Sequence, residues 1–159
     1  MIRKNVLLLA AAILAPIALV SCGNDGGDEL LLSGGAKDFT MDPKYAEFCA
    51  AYDQLNIALN EMSEAGSTKE SFAVVLEKSA TLLDVAPDEI VDAVATNDAI
   101  LNAMNAAFAQ RDYDQATITT DEGLRQEVQT LYAQEGLPEM TTKYSKYLVK
   151  NCGVSTEGN

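Results

Sequence analysis

Apolar residues recur every three or four positions from about residue 42 to residue 152. The first run contains Tyr45, Phe48, Tyr52, Leu55, Leu59 and Met62. This spacing places side chains on one side of an α-helix, here about six turns long. Asp42 followed by Pro43 is typical of a helix start, and Gly66 is typical of a helix end.

Four further segments repeat this spacing. Their apolar positions are, in chain order, Phe72, Val75, Leu76, Ser79 and Leu83; Ile90, Val94, Asn97, Leu101, Met104 and Phe108; Leu124, Val128 and Leu131; Met140, Tyr144, Tyr147 and Leu148. Capping boxes at 67–70 and 119–122 predict two of the helix starts. Only 116–120 has β-branched character, and it is too short for a sheet. The sequence predicts an all-α fold, a single antiparallel bundle of about five helices.

Length and charge narrow the class of protein. The chain has 159 residues, enough for one domain, with 24 acidic and 11 basic side chains and a formal net charge of -13. Such an acidic excess argues against nucleic acid as a partner and disfavours electrostatic binding to anionic lipid. Histidine is absent, which removes the commonest general base and the commonest zinc ligand.

The amino terminus has the pattern of a secretion signal. Arg3 and Lys4 precede an uncharged apolar stretch of 15 residues, 6–20, which Pro16 interrupts. A membrane-spanning helix needs about 20 apolar residues, so a cleaved signal is favoured over a permanent span.

The end of this stretch, Leu19 to Cys22 (LVSC), resembles the lipobox of bacterial lipoproteins. The resemblance implies that a diacylglyceryl group is attached to the Cys22 thiol and that the signal, residues 1–21, is removed just before it. A second acyl chain makes such anchoring stable. The resemblance therefore predicts a cell-envelope protein, held by lipid on the extracytoplasmic side of a bacterial membrane. The alternative is an ordinary cleaved signal with an unpaired cysteine.

The rest of the chain divides into three parts. Residues 22–41 are interpreted as an acidic, glycine-rich flexible spacer, residues 42–153 as the helical domain and residues 154–159 as a flexible tail. Within the spacer, Leu30–Leu32 is either a short segment that lies on the domain or has no role, or a docking motif for a partner. Without residues 1–21 the formal net charge becomes -15, because Arg3 and Lys4 are lost with no acid.

Two cysteines, Cys49 and Cys152, remain once Cys22 carries lipid. A lipoprotein folds outside the cytoplasm, where thiols oxidise, so the sequence predicts a disulfide between them. The body of the chain also looks like small helical lipoproteins with one cysteine in the first helix and a Cys-Gly pair near the carboxyl end. That group has no assigned activity.

Four tyrosines lie near the two cysteines in sequence. Tyr45 and Tyr52 flank Cys49, while Tyr144 and Tyr147 precede Cys152. If the disulfide forms, we expect all four at one end of the bundle. They then form either aromatic packing around the disulfide or a ligand-binding cleft.

No catalytic, metal-binding or cofactor-binding motif is predicted. An EF-hand loop starting at Asp112 would need glycine at its sixth position and a carboxylate at its twelfth, where the chain has Thr117 and Gly123. Residues 111–123 are therefore interpreted as a solvated interhelical loop. The carboxylate pairs Glu61/Glu64 and Asp88/Asp92 are interpreted as solvated surface, and the methionines of the domain as core. Asn97 is expected to satisfy a buried partner or to lie at the edge of its apolar stripe.

Two classes of function remain. The first is a non-enzymatic interaction module that displays an acidic helical surface to a protein or cell-wall partner. The second is a carrier of a small ligand or lipid, with a Tyr/Met-lined cavity between helices. A closed interior favours the first, and a cavity of several hundred Å³ would favour the second.

Overall fold

The structure, a computed structural model, describes residues 39–154. A short 3-10 turn at Pro43–Tyr45 precedes six α-helices. They are α1 (Ala46–Ala65), α2 (Lys69–Asp84), α3 (Val91–Ala109), α4 (Gln115–Thr120), α5 (Glu122–Tyr132) and α6 (Leu137–Cys152). This described part contains no β-strand. The predicted all-α bundle is confirmed, with one more helix than the five expected.

Helix starts follow the polar residues of the sequence. The Asp42 carboxylate accepts a hydrogen bond from the Lys44 backbone N–H at 3.1 Å. The capping box of α2 joins Thr68 to Ser71, and each side chain accepts the other residue's backbone N–H, at 3.1 and 2.9 Å. The capping box therefore spans 68–71, one residue later than the predicted 67–70, and Ser71 takes the role predicted for Glu70.

The additional helix, α4, was predicted to be part of an interhelical loop. The Asp114 side chain accepts from the backbone N–H groups of Ala116 and Thr117, at 3.2 and 3.3 Å, and starts the helix. Asp121 ends α4 and starts α5 by accepting from the Leu124 N–H at 3.0 Å. The box predicted at 119–122 was wrong because this aspartate takes the cap position.

The first three helices run up, down and up. The Phe72 ring near the start of α2 lies 5.2 Å from the Phe108 ring near the end of α3, as antiparallel neighbours require. The largest helix interface joins α1 to α2, and the next joins α2 to α3. α5 packs on α3, and α6 contacts both α3 and α1.

The core lies where the predicted apolar stripes meet. Its most completely buried side chains are Phe72, Met62, Leu82, Ile90, Val75, Val94, Cys49, Cys152 and Ser79. On α2 the structure buries Leu82 and leaves the predicted Leu76 and Leu83 half-buried at the core's edge. Residues 39–41 precede the domain boundary predicted at residue 42, but Met41 packs against the core.

Candidate functional site

The two cysteines of the domain meet at one end of the bundle. The Sγ atoms of Cys49 and Cys152 lie 1.98 Å apart, at the distance of a disulfide bond, and both residues are fully buried. Cys49 belongs to the first turns of α1, and Cys152 is the last residue of α6. This bond joins positions 103 residues apart in sequence.

Gly153 follows Cys152 and carries a contact that the sequence did not reveal. Its backbone is left-handed, with φ +68°, and a Cβ placed on it would lie 2.5 Å from the Phe39 ring. Glycine therefore ends α6 and also lets this ring lie against the chain. We call the group formed by Cys49, Cys152, Gly153 and Phe39 the disulfide end.

The four predicted site tyrosines form two pairs near this end. The rings of Tyr45 and Tyr147 are 5.7 Å apart, edge to face, and the rings of Tyr52 and Tyr144 are 6.2 Å apart. Tyr147 also meets Phe48 edge to face, at 5.8 Å. Aromatic packing near the disulfide is therefore present, but the four rings do not line one common cleft.

The hydroxyls of Tyr52, Tyr144 and Tyr147 lie in a poorly solvated environment. Burial raises the pKa of Tyr144 well above its ordinary value of 10.0 and also raises the pKa of Tyr52. Desolvation raises the pKa of Tyr147 to about 12, and Tyr45 and Glu89 act in the same direction. Within residues 39–154 the buried Tyr147 hydroxyl has no hydrogen-bond partner. These phenols are therefore held neutral.

One small cavity lies between the helices beside the second tyrosine pair. Its volume is about 10 Å³, room for at most about one water molecule. It is lined by Tyr52, Leu55, Asn56, Leu59, Ser79, Leu82, Val94, Asn97, Leu101 and Tyr144. No methionine lines this cavity. Asn97 lies half-buried at the cavity wall, which agrees with the predicted alternative that it lies at the edge of its apolar stripe. The cavity as it stands does not admit a lipid or a metabolite.

The opposite end of the bundle is organised by Arg111. Its Nε donates to the Asp121 carboxylate at 2.6 Å, and its Nη1 donates to the Ala107 carbonyl at 2.8 Å. Glu127 lies 3.5 Å from the same Nη1. The Arg111 hydrogen bond is the main reason why the pKa of Asp121 lies below its ordinary value. We call Arg111, Asp121 and Glu127, with the neighbouring Tyr113, the Arg111 end.

Tyr113 fixes the turn that leads into α4. Both Asp112 and Tyr113 have left-handed backbones, with φ of 51° and 55°, which non-glycine residues rarely adopt. The Tyr113 hydroxyl donates to Asn105 Oδ1 at 2.7 Å, and its ring packs 6.0 Å from the Phe72 ring. The turn is therefore held by side-chain contacts, and no pattern in the sequence predicted it.

The carboxylates that the sequence analysis considered as metal ligands or catalytic groups do not form a cluster. Asp114 and Asp121 cap helices, whereas Asp112 and Glu122 are exposed. The pairs Glu61/Glu64 and Asp88/Asp92 also lie on the exposed surface. Within residues 39–154, no group of three or more His, Cys, Asp or Glu side chains is placed to hold a metal ion.

The surface carries a large uncompensated negative charge. Residues 39–154 contain 19 acidic and 8 basic side chains, a formal net charge of -11. Only five of these acids pair with a base: Asp42, Glu77, Asp121, Glu122 and Glu127. On α1, Asp53, Glu61 and Glu64 share one side with Ile57, which is 44% exposed. We call these four residues the acidic face.

Several predictions concern parts of the chain outside the described residues. These are the signal at 1–21, the lipidated Cys22, most of the spacer with Leu30–Leu32, and residues 155–159 of the tail. Between residues 39 and 154, no helix combines the length and the hydropathy that a membrane span needs.

Comparison with known proteins defines no class of protein beyond the fold. No protein-family model matches the chain, and no curated protein or solved structure matches it. What the structure defines is an all-α helical bundle with one cysteine pair at disulfide distance.

Proposed function

We propose that this protein is a bacterial lipoprotein, anchored outside the cytoplasm through lipid on Cys22, whose helical domain binds a partner through its acidic face. The anchor rests on the LVSC boundary at residues 19–22 and on the basic and apolar residues before it. The binding role rests on the acidic face, where an exposed isoleucine stands among carboxylates with no ion pair in the described part of the chain.

The chemistry of the acidic face defines the kind of partner it fits. Asp53 and Glu61 lie one helical turn before and after Ile57, and Glu64 lies a further turn away. Burial raises the pKa of the half-buried Asp53. A protein with a small apolar pocket surrounded by lysine or arginine complements this arrangement, because the opposite charges steer it and the isoleucine anchors it.

The size of the cavity beside Tyr52 and Tyr144 is our reason for proposing a binding surface rather than a carrier. A carrier needs a cavity of several hundred Å³, whereas this cavity holds about 10 Å³. A cell-wall polymer remains the alternative partner, and the same experiment separates it from a protein.

Site-specific photocrosslinking in intact cells tests the proposal. A photoreactive amino acid at position 57 should capture one protein, and the same residue at Ala106, on the exposed side of α3, should not. The double variant Asp53→Lys/Glu61→Lys should lose that product, whereas Asp88→Lys/Glu135→Lys, with the same change in net charge, should retain it. Equal capture at positions 57 and 106, or insensitivity to the first double variant, would remove the acidic face as the binding surface.

A further inference from the structure

The last helix differs in charge from the rest of the domain. α6 carries Lys143, Lys146 and Lys150 against one acid, Glu139, for a formal charge of +2. The other five helices are neutral or negative, and α1 has four acids and no base. Three of the eight bases in residues 39–154 are therefore concentrated on one helix.

The three lysines form a continuous exposed face. Their spacing of three and four residues places them on one side of α6, away from the side on which Tyr144 and Leu148 enter the core. All three are exposed, and none has a carboxylate within 4.0 Å in the part of the chain that the structure describes. Unlike Arg111, these cations are not used to hold the fold. We call them the lysine face.

The lysine face lies close to the point where the chain enters the domain. The Phe39 ring packs on Gly153, directly after the end of α6. At 1.5 Å per residue along the helix, Lys150 lies about 5 Å and Lys143 about 15 Å from Gly153. The described chain therefore begins beside the end of the helix that carries these lysines.

We propose that the lysine face docks on the anionic phospholipid headgroups of the membrane in which the lipid on Cys22 is inserted. This inference rests on the anchoring proposed above. The chain from Cys22 to Phe39 can span at most about 60 Å, so the tether keeps the lysines within that distance of the surface on which they dock. The net acidity of the domain does not prevent docking, since an anionic surface attracts the lysine face and repels the acidic face.

Docking gives the domain one orientation. α6 and the disulfide end approach the membrane. Each lysine near an anionic surface favours the docked form by about five-fold. Glu139 lies one turn before Lys143 on the same side of α6, so the net charge of this side is +2 and the preference of a tethered domain for the docked form is roughly 25-fold, which salt screens. The lysine face thus sets the direction in which the acidic face is presented to its partner.

Lysine acylation on vesicles tests the docking. The mature chain, residues 22–159, is tethered either by its own lipid or, as Cys22→Ser, by an amino-terminal histidine tag on a nickel-chelating lipid. A water-soluble acylating reagent is applied on phosphatidylglycerol vesicles and on phosphatidylcholine vesicles. Lys143, Lys146 and Lys150 should react several-fold more slowly on the anionic vesicles, Lys69 should react equally on both, and high salt should abolish the difference.

Charge variants with Lys150 as the reporter complete the test. Lys143→Gln/Lys146→Gln should strongly reduce the protection of Lys150, because two lost lysines lower the equilibrium constant for docking by roughly 25-fold. Lys44→Gln/Lys69→Gln, which removes the same charge elsewhere, should leave it intact. Equal acylation on both vesicle types, with either tether, would overturn the docking. Protection that appears only in whole cells would also overturn it and would indicate that an acidic protein or polymer covers the lysines. If the three lysines are protected on tag-tethered protein but the wild type carries no lipid on Cys22, the proposed anchor is wrong and the docking stands.

Discussion

At the disulfide end, the Cys49–Cys152 pair and the Phe39–Gly153 contact join parts of the chain more than 100 residues apart. At the Arg111 end, the guanidinium joins groups no more than 16 positions away in sequence. The first end closes the chain through covalent and apolar contacts, and the second fixes local turns through polar ones. The two ends should therefore fail under different conditions, the first under reduction and alkali and the second under acid.

Removing the disulfide should have the largest effect. Closing a loop of 103 residues stabilises a fold by at most about 4.7 kcal/mol in the chain-entropy account, and typical values are about 2–4 kcal/mol. Cys49→Ala/Cys152→Ala should therefore lower the melting temperature by on the order of 10 °C. Thermal unfolding followed by circular dichroism measures this, with and without reductant. Two free thiols in the unreduced wild type, or no change in melting temperature, would contradict the account.

Gly153→Ala should have the second largest effect. An L-residue at φ +68° costs about 1–2 kcal/mol, and the added Cβ also displaces Phe39. Gly136→Ala is the matched control, because Gly136 has φ +81° but no atom within 4 Å of the added Cβ. Denaturant unfolding should show the larger loss at position 153. That excess should vanish when Phe39 is alanine in both proteins; an excess that persists would show that the Phe39 contact does not matter.

Tyr147→Phe should leave the protein unchanged or make it more stable by about 1 kcal/mol at neutral pH, because it removes a buried hydroxyl without a partner. The folded pKa of Tyr147 is raised from 10.0 to about 12, so the unfolded chain loses the phenolic proton at a lower pH than the folded protein does. The free energy of unfolding should therefore be constant below pH 10 and fall as the pH rises from 10 to about 12. Wild-type stability should fall more steeply there than that of the variant. Parallel curves in a denaturant series across this range would show that the phenol is solvated.

Asp121→Asn should have the smallest effect and should act at the other end. Asparagine keeps the cap on α5 but loses the charge that Arg111 pairs with. Because the folded pKa of Asp121 lies below 3.8, its stabilisation is present at higher pH and lost as the pH falls through the folded value. The wild type should be slightly more stable at neutral pH, and the difference should close in strong acid. A difference independent of pH would assign the effect to the cap.

The helices were largely predictable from the sequence because burial imposes a spacing of three and four. The stripes containing Phe48, Phe72, Leu101 and Leu148 were assigned to helices that the structure contains. α4 was missed because a six-residue helix buries too little to show a stripe, and its aspartates suggested a loop. Cap positions shifted by a residue or two, since serine, threonine and aspartate compete for the same backbone donors.

The candidate site was only partly predictable. The cysteine pair follows from counting thiols, but the placement of the tyrosines depends on geometry around and along the helices. Tyr45 and Tyr52 are seven residues apart, about 10 Å along a helix, so each meets a different partner on α6. The Phe39–Gly153 contact and the Arg111 cluster carry no periodic signal, because each depends on how separate elements come together.

Metabolic labelling with a fatty-acid analogue tests most directly the central claim, that lipid on Cys22 anchors this domain outside the cytoplasm. Wild type, Cys22→Ser and Cys49→Ser/Cys152→Ser are compared for label and for partition into detergent. The account predicts that the wild type and the double variant are labelled and enter the detergent phase, and that Cys22→Ser is unlabelled. Equal labelling of Cys22→Ser, or a wild type without label, would contradict the claim.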